Sequence, residues 1–193
     1  MSEKNKIDYN KSKAATRILD TAKDLFYKEG IQCVGIDRIV KEANVAINTM
    51  YKYFPSKDAL VEAYLIDRDK LWMKWLENFV NEEEDLKKRL LTIFDAMDSW
   101  FNKEIYRGCA FINAYGEIGT VKSYIHEISK DHKDNLYKFI LKLTVEANLE
   151  NHEQIAKEVL ILVEGAIVVA SISEDKNSAK TAKVIAEKLI NYV

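Results

Sequence analysis

Apolar residues recur along this chain at three- and four-residue spacings, the period of an amphipathic helix, and almost nowhere alternate as a half-buried strand would. The first such stretch, Ser12 to Lys28, puts Ile18, Leu19, Ala22, Leu25 and Phe26 on one face, and Gly30 follows its last turn as a stop signal. A short helix is predicted over Ile36 to Ala43, burying Ile36, Ile39 and Val40, and a second over Ile47 to Tyr53. Pro55 and the N-cap candidate Ser56 then open a long helix from Lys57 to about Val80, with Leu60, Tyr64, Leu71 and Trp75 on one face. Further helices are predicted at 83–103, 107–118, 121–149, 152–173 and 175–192. The expected class is all-α, with about nine helices.

Composition narrows the class further. The chain has 193 residues, 48% of them hydrophobic, with only 6 Gly and 1 Pro, which disfavours both disorder and a hairpin-rich β fold. Cys33 and Cys109 form no CxxC pair, so neither a zinc site nor a disulfide framework is expected, and a reducing compartment fits. Met1 to Lys13 is polar with no apolar core, so no signal peptide is expected. The most apolar run, Val159 to Ser173, is too short for a membrane span and carries Glu164. These features predict a soluble, cytoplasmic protein with no membrane partner.

Charge divides the chain unevenly. Residues 1–54 hold 10 Lys/Arg against 7 Asp/Glu, and the remainder 19 against 24, so a basic front precedes an acidic back. The organisation expected is a flexible basic tail at 1–11, a small basic domain at 12–56 and a larger helical domain at 57–193. Lys4, Lys6, Lys11 and Lys13 make the front end loosely basic, open to reading as a groove-reaching arm or a plain terminus.

Two short helices joined by Asn44, Val45 and Ala46, buttressed by a longer first helix, have the layout of a helix-turn-helix. Asn44 tolerates the left-handed backbone such a turn needs, and Val45 can pin the turn to the core. Asn48, Thr49 and Lys52 offer hydrogen bonds on the outer face of the second helix, where a major groove would lie. Spacing alone leaves a generic helical hairpin open.

Residues 17–65 resemble the DNA-binding domain of the TetR family of bacterial transcriptional regulators. The likeness rests on IL-x-x-A-x-x-LF-x-x-x-G, then I-x-x-IV-x-x-A-x-V, then T-x-Y-x-YF-x-SK-x-x-L, and spans about a quarter of the chain. The resemblance implies that Ile47 to Tyr53 lies in the major groove, with Ile47, Asn48 and Thr49 at its base-facing end. It implies that Tyr51, Lys52 and Tyr53 touch phosphate or line the groove, and that Lys57 meets a backbone phosphate at a helix N-terminus that itself attracts anions. Arg38, on the outer face of the preceding helix, is a further phosphate candidate. Packing of Tyr51 or Tyr53 against the first helix with Phe54 is the alternative for one of the two. The chain departs from the family pattern at Ala46, where a Ser or Thr cap is usual, at Ile47 and Asn48, and at Gly35. Ile47 cannot hydrogen-bond a base but suits a thymine methyl. An operator borrowed from a relative is therefore not expected to fit.

Beyond residue 66 the resemblance is one of helical layout and length, with Arg107 to Gly119, RGCAFINAYGEIG, similar to a segment of some family members. It implies a small-molecule effector and pairing of two subunits through the last two long helices, roughly 152–173 and 175–192. The residues support pairing independently, because Val159 to Ala170 is apolar almost all round and must bury a second face somewhere. Aromatic wall for an effector site is available from Trp72, Trp75 and Trp100, and polar intruders on apolar faces from Asn113, Glu117, His132 and Glu164. The plainer alternatives are core packing for the aromatics, a satisfied core histidine for His132 and an interface ion pair for Glu164.

No catalytic triad, phosphate loop, nucleotide motif or metal-ligand spacing is recognisable, so no catalytic residue, metal or cofactor is expected. The function expected is a homodimeric, ligand-released repressor on double-stranded DNA with a palindromic operator. The alternative is a helical small-molecule-binding protein or enzyme whose N-terminal helices are only scaffold.

Overall fold

The computed structural model describes residues 12–120 and 123–191, the side chain of residue 191 excepted. Among the described residues there are nine helices and no strand. They are α1 (Lys13–Glu29), α2 (Ile36–Glu42), α3 (Ile47–Tyr53), α4 (Lys57–Asn81), α5 (Leu86–Phe101), α6 (Ala110–Ile118), α7 (Tyr124–Glu146), α8 (His152–Ile172) and α9 (Ser178–Asn191). The basic tail at 1–11 lies outside the described residues. No described helix is long and apolar enough to cross a membrane.

The chain divides into two compact units, one of residues 1–68 and 113–128, the other of 69–112 and 129–193. In the first, Ser12 caps α1 by accepting the Ala15 amide, and Gly30 ends it at φ 91°, donating its N–H to the Phe26 carbonyl at 3.1 Å. Ile18, Leu19, Ala22, Leu25 and Phe26 are buried on one face of α1, and Ile39, Met50, Phe54, Leu60 and Tyr64 close the core over them. Ile36 and Val40 are only half-buried, so α2 presses on the core chiefly through Ile39. Asn44 adopts φ 51° in the turn between α2 and α3, as its short polar side chain permits. Ser56 caps α4, its hydroxyl accepting the Ala59 amide at 3.0 Å.

The stripe expected on α4 needs correction. Leu71 is 54% exposed, and Trp72, Leu76 and Val80 are buried in its place. The buried face turns because α4 serves different neighbours along its length: Tyr64 meets Phe26 in one unit, while Trp72 meets Trp100 and His132 in the other.

In the second unit, α9 packs on both α5 and α8. Lys183 pairs with Asp95 at 2.7 Å, and the buried Ser178 hydroxyl donates to the Ala166 carbonyl at 2.9 Å. Helix bounds differ from expectation where a specific residue intervenes. Asp85 caps α5 through the Lys87 and Lys88 amides, Gly108 at φ 79° delays α6 to Ala110, and Glu174 at φ 57° sets α9 back to Ser178. Helix α8 buries Ile155, Val159, Val163, Ala166, Ile167 and Ala170 on one side. Its other side leaves Ile161 69% and Ile172 78% exposed, with Val168 and Val169 between them.

Candidate DNA interface and effector site

Helix α3 is pinned from behind and open in front. Met50 is its buried residue, while Ile47, Asn48, Tyr51 and Lys52 are exposed and Thr49 is half-buried. Tyr51 shows 46% of its surface. Tyr53 is turned inward: its phenol oxygen accepts a hydrogen bond from the Ser12 hydroxyl at 2.8 Å, and Lys52 stands over its ring at 5.6 Å. Of the two tyrosines, Tyr53 thus packs toward α1 and Tyr51 is free to meet a ligand. Neither Gly35 nor Ala46 supplies a side-chain cap, so the first amides of α2 and α3 lack a side-chain acceptor at those positions. Lys57 stands half-buried at the first position of α4.

Arg38 is held by its own chain. Its guanidinium forks onto the Glu29 carboxylate and bonds Glu42 at 2.8 Å, and those carboxylates push its pKa upward. A phosphate would have to share Arg38 with both acids.

Glu117 and Asn113 belong to the first unit, not with the aromatic residues of the second. The Glu117 carboxylate accepts the Gln32 amide at 3.0 Å, and the Gln32 side chain donates back to the Glu117 carbonyl. A Cβ on Gly30 would come within 3.1 Å of that carboxylate, so the stop glycine of α1 also makes room for this clamp. Tyr124 donates to Asp58 at 3.3 Å, and burial first, then the Asp58 charge, pushes its phenol up to about 12. Asn113 is exposed.

The second unit brings Trp72, Trp75, Trp100 and His132 together. Trp72 lies 5.6 Å from Trp100 and 5.3 Å from the His132 ring, and Trp75 lies 6.0 Å from Trp72. The Trp72 indole N–H is buried without a hydrogen-bond partner. His132, 3% exposed, stacks on Phe111 at 3.8 Å and donates through Nδ1 to Asp69 at 2.7 Å. Asp69 is fixed in turn by the Asn135 amide at 3.0 Å. Glu164 accepts both its bonds from Lys133, at 2.7 and 2.8 Å, so within this chain it is already paired.

The sequence reading passed over the residue that joins these groups. Cys109, just before α6, accepts a hydrogen bond from Lys133 at 3.5 Å. Burial pushes its thiol up, but His132, Lys133 and the Ile112 amide together outweigh burial and hold the thiol below its usual range. Burial likewise pushes His132 down, and Asp69 and Cys109 leave it raised instead. Among the described residues, no group of three or more His, Cys, Asp or Glu is placed to hold a metal ion. An open groove of about 330 Å³, lined by Met73, Glu77, Lys138 and Phe139 among others, reaches Asp69 from the side of α4 and α7.

Comparison with known proteins agrees with the first unit's geometry. Residues 18–64 match the family described as bacterial regulatory proteins, tetR family. The HTH-type transcriptional regulator YjdC of Escherichia coli (strain K12) is 20% identical over 178 residues, covering 91% of this chain and 92% of that one. An HTH-type transcriptional regulator of Mycobacterium tuberculosis (strain CDC 1551 / Oshkosh) is 42% identical over 52 residues, 27% of this chain and 26% of its own. The crystal structure of SCO4454, a TetR-family regulator from Streptomyces coelicolor, superposes with a TM-score of 0.86 at 26% identity, covering 96% of this chain and 98% of that one. Residues 18–64 thus form a helix-turn-helix domain that matches the tetR family of bacterial regulatory proteins, its second helix exposed, at the head of an all-helical chain similar in fold to a TetR-family transcriptional regulator.

Proposed function

We propose that the protein is a cytoplasmic repressor that binds a palindromic operator as a homodimer and is released by a small-molecule effector. The observation that carries this reading is the outer face of α3, where Ile47, Asn48, Tyr51 and Lys52 stand free above a helix anchored by Met50. Ile47, Asn48 and Thr49 face the bases in this reading. Tyr51, Lys52 and Lys57 meet phosphates, Tyr53 lines the groove while bonded to Ser12, and Arg38 contributes once a phosphate draws it from Glu29 and Glu42.

Dimerisation is supported by the second face of α8. Ile161, Gly165, Val168 and Ile172 recur at helical spacing and are all exposed, and Val184 and Ile185 add to them from α9. An apolar stripe of this kind is covered in a stable soluble regulator, and an isologous four-helix contact covers it with a second copy of itself. The effector site is assigned to the aromatic cluster of Trp72, Trp75 and Trp100 with His132, whose unpaired indole N–H is a donor awaiting an acceptor. An effector that prefers one spacing of the paired recognition helices would shift the dimer away from the operator-competent state.

Selection from a random duplex library tests this. Enrichment of a palindrome with half-site centres about one or two helical turns apart is the expected result. Absence of any enriched sequence, with a folded protein freed of bound small molecules, would overturn the reading.

A further inference from the structure

The exposed side chains of α3 form one outward face. Ile47, Asn48, Tyr51 and Lys52 stand one and four positions apart along the helix, and Met50 anchors the opposite side. In a helix-turn-helix the leading positions of the second helix meet base edges in the major groove. Which bases they accept depends on the side chains offered there. Guanine presents two acceptors and calls for Arg or Lys, and cytosine presents a donor and calls for Asp or Glu. Adenine presents a donor beside an acceptor, which an amide side chain matches with two bonds, and thymine presents a methyl group that apolar side chains cover.

From Ala46 to Thr49 no residue carries a charge, and α3 contains no acid. Asn48 is the amide of the outward face, and Ile47 beside it is a branched apolar side chain left 42% exposed. Thr49 is half-buried and discriminates little, since a hydroxyl both donates and accepts. The nearby cations that would read guanine are turned elsewhere. Lys52, the one cation of α3, stands 5.6 Å over the Tyr53 ring, whose phenol is tied to Ser12 at 2.8 Å. Arg38, on α2, is held by Glu29 and Glu42.

We propose that Asn48 and Ile47 determine the operator's sequence by selecting two neighbouring A·T base pairs in each half-site. The Asn48 carboxamide oxygen accepts from the N6 amine of an adenine while its NH2 donates to N7. Guanine, with acceptors at both places, leaves that oxygen facing an acceptor. Ile47 covers the C5-methyl of a thymine in the adjoining pair, and against cytosine it would strip water from an amine without replacing the hydrogen bond. Both half-sites carry the same two pairs, because two copies of the chain present the same face. The assignment rests on the proposed reading of α3 as the recognition helix of a dimeric repressor.

The test changes single atoms of the DNA and leaves the protein intact. In one half-site of the selected palindrome each thymine is replaced in turn by deoxyuridine, which lacks only the methyl group, and each adenine by 7-deazaadenine, which lacks only the N7 acceptor. Affinity of the full-length protein for each duplex is measured at one fixed salt concentration. One thymine is expected at which loss of the methyl weakens binding by roughly three- to fivefold, as for one buried methyl group. In the adjoining pair an adenine is expected at which loss of N7 weakens binding by roughly three- to tenfold. The first effect should vanish in Ile47→Ala and the second in Asn48→Ala, because a group that has lost its partner is no longer missed. Both residues are exposed, so neither replacement disturbs the core anchored by Met50. Selection repeated with Asn48→Arg should turn that adenine into guanine in both half-sites. A selected palindrome without adjoining A·T pairs, or one indifferent to every methyl and N7 removed, overturns the assignment. Losses that persist in the matching Ala variants do the same. In each of these cases a palindrome has been selected and the dimeric reading survives; failure to select any palindrome refutes that reading and the assignment with it.

Discussion

At the scale of single residues, Tyr51 and Tyr53 show how one helix divides its labour. They stand two positions apart on α3, yet Tyr53 is tied to Ser12 while Tyr51 remains exposed. Replacing Tyr51 and Lys57 together with Ala should therefore weaken operator binding by about 10- to 100-fold, since two backbone contacts are lost. The dimer, read by sedimentation, should persist, because neither residue belongs to the apolar stripe of α8. Unchanged affinity in a folded double variant would remove both from the interface. Ala46 invites the opposite change. It sits at the N-cap of α3 with φ -72° and ψ 145°, an extended backbone that a capping side chain accepts, and it is exposed. Ala46→Ser should stabilise the protein by about 0.5–1 kcal/mol. That corresponds to an increase in Tm of about 1–4 °C for a chain of this size. A decrease would mean that the α3 amides are satisfied by other means.

Single residues also mark where sequence reasoning reached and where it stopped. Asn44 was legible in advance because its φ follows from the chemistry of its own side chain. The outward placement of Asn48 and Lys52 was read from the helix-turn-helix layout, and that of Ile47 from the resemblance. The clamp of Glu29 on Arg38 was not legible, because it crosses the turn between α1 and α2 and no local period records it. Nor was the Asp69–Asn135 and Asp69–His132 pairing, which joins residues more than sixty positions apart. Cys109 was weighed as a zinc or disulfide partner, and its spacing excluded both. Only the fold brings Lys133 to its sulfur.

At the scale of helices, periodicity located all nine elements but not the rotation of α4. A stripe inferred from one face assumes one neighbour, and α4 has different neighbours for Tyr64 and for Trp72. The pairing of α4 with α7 through Asp69 and His132 carries a pH dependence whose sign follows from the histidine. Its pKa is raised above 6.5 in the folded chain, so its contribution to stability is complete below that value and is lost as pH rises through the folded pKa. Asp69→Asn removes the acceptor for the imidazolium. The gap in Tm between the protein and this variant should be widest below pH 6.5 and narrow as pH rises through the folded value. A gap independent of pH would show that His132 is neutral throughout and that Asp69 serves only as a hydrogen-bond acceptor.

At the scale of the whole molecule, the proposed repressor is two copies of the chain. The expectation from sequence was that α8, apolar almost all round, buries one face in its own core and another elsewhere. The first half of that expectation is met by Val159, Val163 and Ala166, and the second is left to Ile161, Val168 and Ile172. Ile161→Glu with Ile172→Glu places two charges on that stripe in each subunit, and burying unpaired charge is costly enough to prevent association. The double variant should sediment as a monomer with its helix content retained and should lose the palindrome. A variant that remains dimeric would move the contact to another surface.

The most direct test of the central claim is titration of three duplexes: the selected operator, the same operator with one half-site scrambled, and a fully scrambled control. It is carried out at two salt concentrations. A dimeric, sequence-specific regulator should bind the intact palindrome about 1,000-fold or more tighter than scrambled DNA, two chains per duplex, with the half-site duplex falling between. Equal and steeply salt-dependent binding to all three would contradict the account, leaving α3 a sequence-blind anchor on phosphate alone.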